Sequence, residues 1–86
     1  MAAKSSGPPL RCPCCKYKTL SARGQDEICP VCFWHDDGQD DEDADSVMGG
    51  PNKDLSLTQG RKNFERLGAY NAKYIEHVRP PTPAEI

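Results

Sequence analysis

The sequence has no long apolar run. No stretch approaches the ~20 consecutive apolar residues that a membrane-spanning helix needs, so a spanning helix is excluded. Aromatic side chains are scarce, at 7% of 86 residues, and hydrophobic residues of all kinds reach 36%. Mean hydropathy is -0.76. A chain this short buries only about 60–65% of the surface its unfolded form exposes. A domain so small and so polar needs a staple, which can be a disulfide set, a metal or a partner chain. Too few residues remain to enclose a large pocket. Neither a nucleophile–base pair nor a phosphate-binding loop can be picked out. The expectation is therefore a protein that is not an enzyme.

Residues 1–9, MAAKSSGPP, lack the apolar core of a secretory signal. That places the chain in the cytoplasm, where thiols stay reduced. Five cysteines cannot all pair within one chain. In a reducing compartment, cysteines grouped as close pairs read as metal ligands or redox groups rather than as bridges.

The cysteines fall in two short motifs, CPCC at 12–15 and CPVC at 29–32. Cys12, Cys15, Cys29 and Cys32 give C-x2-C-x13-C-x2-C, a spacing close to that of structural zinc sites. Two thiolates separated by two residues can reach one ion from a single tight turn, and backbone N–H groups of that turn can point at the first sulfur. Two such turns complete a tetrahedral set. Both motifs share C-P-x-C, where proline fixes φ and stiffens the turn. Aligning them sets Cys14 against Val31, which cannot ligate, so Cys14 is read as a bystander. His35 lies three residues past Cys32, but four cysteines already fill the tetrahedron. One zinc ion is the expected cofactor. Iron in a rubredoxin-like site is the alternative, disfavoured by the shorter loop between the pairs and the thin hydrophobic cover.

The fold class implied is a small metal-stabilised α+β domain. It would have zinc-ribbon or rubredoxin-like knuckles on short β-hairpins, followed by one or two C-terminal helices. Residues 1–9 read as a disordered leader. Residues 10–79 form one domain, with knuckles at 10–35, an acidic loop at 36–53 and helices at 54–79. Residues 80–86 form an extended proline-rich tail carrying a P-x-x-P spacing. Tyr17, Ile28, Phe33 and Trp34 are the expected mini-core of the knuckles.

Ser56-Leu57-Thr58-Gln59 fits a capping box with Ser56 as N-cap. Leu57, Phe64 and Leu67 then share a helical face, Gly60 allows close approach of another backbone, and Gly68 marks the stop. A second helix is expected from about Asn71 to Val78, with Tyr74, Ile75 and Val78 inward and Pro80 and Pro81 ending it.

Charge is uneven. Residues 1–35 carry +3, residues 36–45 carry -7 and residues 46–86 carry +2. The acidic run reads as a solvated loop, or one that pairs with Arg61, Lys62 and Arg66 of the helix. Asp41-x-Asp43-x-Asp45 resembles half an EF-hand loop, but Ser46 and Asn52 stand where glycine and glutamate are needed.

CPCC, ICPVCFW, DDGQDD, GGPN and LSLTQGRKNF together resemble the bacterial cysteine-rich CPCC family over roughly residues 10–83. The resemblance implies a small zinc-binding bacterial domain and by itself implies no reaction.

The expected function is a structural zinc module that engages another protein. The acidic run would steer it to a basic surface. An iron electron carrier is the alternative. Nucleic-acid binding, supported by Lys16, Lys18 and Arg23 beside the knuckles, is opposed by a pI near 5.6 and by the acidic run.

Overall fold

A computed structural model describes residues 10–86, so the expected leader lies outside the described residues. The described part opens with the first cysteine turn. The Leu10 and Leu20 backbones exchange hydrogen bonds of 3.2 Å on either side of it. The second turn is closed the same way by an antiparallel bridge between Ile28 and His35.

These two isolated bridges are the whole of the β structure among the described residues, and the expected β-hairpins are not formed. Local turns stop each ladder. Past the first knuckle the Thr19 N–H bonds the Tyr17 carbonyl at 2.9 Å, a three-residue turn that bends the chain away. Past the second, pairing of Asp26 and Glu27 with Asp36 begins at 2.8 and 2.9 Å, but Asp26 has φ +59° and turns out of register. A side chain replaces the missing strand. Asn52, buried in the Gly50–Asn52 turn, accepts from the His35 N–H at 3.2 Å and donates to the His35 carbonyl at 2.8 Å.

Among the described residues one α-helix, α1, spans Leu57–Leu67. The Ser56 hydroxyl accepts the Gln59 N–H at 3.1 Å, which satisfies an otherwise orphaned donor. At the other end Gly68 adopts φ +84° and returns its N–H to the Phe64 carbonyl at 2.9 Å. Leu57 is fully buried, while Phe64 packs edge-to-face on Tyr17 with centroids 6.4 Å apart. Gly60 admits a side chain rather than another backbone. A Cβ there would stand 3.2 Å from the Trp34 ring.

The expected second helix is a 3-10 helix, Ala72–His77, capped by the Asn71 side chain. Its three-residue period aligns Tyr74 with His77, and both rings lie against Phe33. Ile75 falls off that face and is 44% exposed rather than inward. The tail is not extended throughout either, because Pro83–Glu85 forms a further 3-10 turn.

The core gathers the five cysteines with Leu20, Val31, Trp34, Leu57 and Tyr70. Of the expected mini-core, Trp34 is fully buried, Tyr17 and Phe33 are half-buried, and Ile28 faces outward. The acidic run is built into the fold. Asp36 is fully buried and accepts from Arg23 Nε at 2.9 Å, Gly24 N–H at 2.8 Å and Gly38 N–H at 3.2 Å. Arg23 also reaches Asp40 at 2.7 Å, and Arg61 reaches Asp41 at 2.6 Å. Arg66 turns instead to Asn63 of its own helix.

Candidate metal centre

The two cysteine turns use one hydrogen-bond pattern twice. Cys12 donates its N–H to Tyr17 and Cys29 donates to Trp34, at 2.9 and 3.0 Å. The Cys12 carbonyl accepts from Lys16 and the Cys29 carbonyl from Phe33, at 2.9 and 2.8 Å. The Cys14 N–H points at Cys12 Sγ and the Val31 N–H at Cys29 Sγ, both at 3.4 Å. Such N–H···S contacts favour a thiolate over a thiol. Closing each turn this way drives the residue after its second cysteine into the left-handed region, with φ +72° at Lys16 and +73° at Phe33. Neither is glycine, so both positions are strained.

The turns face each other and bring Cys12, Cys15, Cys29 and Cys32 together, with all four sulfurs within 4.8 Å of one another. Cys12 to Cys32 and Cys15 to Cys29 are each 3.6 Å. Four sulfurs bound tetrahedrally at ~2.3 Å from one ion stand ~3.8 Å apart, so the set fits a metal with little adjustment. The four cysteines could hold a metal ion. Cys14 is buried but is not one of the four. The His35 ring lies elsewhere, tilted against Phe33, Tyr70 and Tyr74, and burial pushes its pKa down.

The thiols are electrostatically unequal. Cys29 is held well below the ordinary thiol range, first by hydrogen bonding from Cys12 and then from Cys15 and Cys32. Burial pushes Cys32 up, and sharing a hydrogen with Cys12 pushes Cys15 up. Without an ion, the buried cluster thus favours the thiolate at Cys29 and the neutral thiol at Cys15 and Cys32, and a bound cation would be needed to ionise all four.

Three supports carry no signal in the sequence. The Thr19 hydroxyl lies 3.0 Å from Cys29 Sγ. Arg61 of α1 donates through Nε to the Pro13 carbonyl at 2.8 Å, fixing the first knuckle to the helix. A third, the Tyr70 N–H on the Cys32 carbonyl at 2.8 Å, fixes the second. The half EF-hand does not close as a site. Asp41 turns to Arg61, Asp43 accepts from the Asp40 N–H at 2.9 Å, and Asp45 accepts from Thr58 at 2.6 Å. Among the described residues the cysteines form the one metal-type cluster.

Buried thiols from two matched turns, set among the described residues beside one α-helix, define a small cysteine-cluster protein whose four sulfurs could hold a metal ion. The family model for Cysteine-rich CPCC proteins matches residues 10–85, and the chain belongs to that family. No curated protein and no solved structure matches the chain.

Proposed function

We propose that this chain is a zinc protein whose ion is structural and whose surface serves as an interaction or regulatory module for another protein. The observation that carries the reading is the closed set of four sulfurs. All four cysteines are buried, so a tetrahedral ion held by them has no position left for a substrate. This supports a structural rather than a catalytic metal, and the chain is read as having no enzymatic activity. A tetrahedron of four thiolates suits zinc or iron alike, and zinc is favoured by the loop between the cysteine pairs, shorter than that of an iron rubredoxin. Zinc with four thiolates adds a net charge of about -2 to the chain's formal -2, which fits a basic partner better than a nucleic acid. The surface that suits such a partner lies around residues 42–48. Exposed Glu42 and Asp45 there adjoin Val47 and Met48, which are 57% and 56% exposed.

Elemental mass spectrometry on the purified native protein tests the metal. About one zinc per chain and no iron is the expected result. Iron in its place would turn the reading to electron transfer through the same sulfurs, and the protein would be red. Neither metal, with the fold intact, would overturn the reading.

A further inference from the structure

The segment after the 3-10 helix Ala72–His77 crosses both knuckles. The Arg79 N–H donates to the Pro30 carbonyl at 3.2 Å, inside the second cysteine turn. Six residues on, the Glu85 carbonyl accepts the Lys18 N–H at 2.7 Å, just past the first turn. Arg11, which precedes Cys12, donates through one guanidinium nitrogen to the carbonyls of Lys16 at 2.6 Å and Ile86 at 3.3 Å. The segment therefore joins two loops that each carry half of the sulfurs.

Between its anchors it is shaped by its own side chains. The two terminal nitrogens of Arg79 each meet one Glu85 carboxylate oxygen at 2.9 Å, and the Thr82 N–H donates to Glu85 Oε1 at 2.9 Å. Pro80 and Pro81 help wall an apolar groove of about 310 Å³, whose other sides include Tyr17 beside the first knuckle and Val31 within the second. The one regular turn in the segment is three residues long. Its attachment rests on these few bonds, so it can open locally without the core.

We propose that residues 79–86 form a strap that sets how fast the cysteine-bound metal leaves, a regulation that rests on the zinc reading above. A competing chelator or thiol-rich acceptor removes the ion by displacing the sulfurs pair by pair. The ion leaves as an intact divalent cation and no electrons move. Displacing a pair requires the two knuckles to part. While the strap is closed they are tied together from outside the metal centre. Once it opens, that tie is gone, the Thr19, Arg61 and Tyr70 contacts are left to hold the knuckles, and their parting is easier.

The test uses the full chain loaded with zinc and challenged with excess pyridylazoresorcinol, whose zinc complex is followed by absorbance. Zinc per chain is counted before the challenge. Arg79→Ala and Glu85→Ala are expected to start with the same zinc content and release it about two- to fivefold faster. The exchanged pair, Arg79→Glu with Glu85→Arg, is expected to recover much of the parent's slow release. Parent-like rates in both single variants, at full zinc content, would overturn the strap and leave the zinc reading standing. Loss of zinc from both before any chelator is added would also overturn it, since the segment would then be an inseparable part of the fold. A parent that carries no zinc would overturn the zinc reading and the strap with it.

Discussion

At the scale of single residues, the five cysteines divide by position in the turn rather than by burial. All five are buried, yet four sulfurs lie within 4.8 Å of one another, and Cys14, although it neighbours Cys32, is outside that set. Cys29→Ser is therefore expected to abolish metal retention and most ordered structure, and Cys14→Ser to keep both. Circular dichroism with a zinc count separates them, and equal losses in the two would refute the assignment. The size of the effect follows from magnitudes. A structural zinc contributes an apparent ~10–16 kcal/mol of binding free energy, whereas a domain has ~5–15 kcal/mol in all. The same four cysteines are singled out in the sequence by the repeated C-P-x-C, which sets Cys14 against Val31. Thr19 was not legible, because a threonine seven residues past Cys12 has no pattern to mark it. Its hydroxyl finds Cys29 only once the knuckles face each other.

At the scale of elements, α1 was the most legible part. Ser56 and Gly68 stand at its ends as capping chemistry requires, and Leu57, Gly60, Phe64 and Leu67 share a face. What packs on that face was not legible, since Trp34 reaches Gly60 through tertiary contact. Gly60→Ala tests the fit. Alanine gains about 1 kcal/mol of helix propensity over glycine. A new Cβ would lie 3.2 and 3.3 Å from two Trp34 ring atoms, and the ring is backed edge-on by Tyr70 with centroids 5.2 Å apart. Overpacking of this kind costs about 1–3 kcal/mol. The expected net is a loss of about 1 kcal/mol, read as a lower midpoint in denaturant. A gain would mean that Trp34 moves freely. The hairpins were misread for a related reason, while the expected second helix formed with 3-10 geometry. Alternation and periodicity do not reveal a left-handed Asp26, a three-residue turn at Tyr17–Thr19 or a side chain such as Asn52 taking a strand's place.

At the scale of the whole molecule, charge organises the chain more than its net value suggests. The acidic run looked like a solvated loop because seven carboxylates crowd ten positions. It is folded back on Arg23, Arg61 and Lys16, which come from three different places in the sequence. Arg23 beside Asp40 and Arg61 beside Asp41 hold those two carboxyls below the usual range, and Arg79 holds Glu85 at about 2. The sign follows directly. A carboxyl with a depressed folded pKa adds stability that is complete above its unfolded value, near ~4, and is lost as pH falls through the folded value. Proton uptake by sulfur acts in the same direction by releasing the ion. The thermal midpoint of the loaded protein is thus expected to be flat through neutral pH and to fall in acid. A midpoint that rises below about pH 4 would contradict these pairings.

The matched twist after each knuckle leaves the chain with unequal room for improvement. Lys16 and Phe33 bend alike, yet the Phe33 ring stacks on Tyr74 with centroids 4.4 Å apart, while Lys16 is exposed and makes one loose pair with Asp41 at 3.6 Å. Glycine at Lys16 would relax the backbone and sacrifice little, for an expected gain of about 1 kcal/mol in thermal unfolding of the loaded protein. At Phe33 the same exchange would strip a stacked ring and lose stability. For a protein engineer the centre has one adjustable hinge and one fixed one, although the backbone draws them the same.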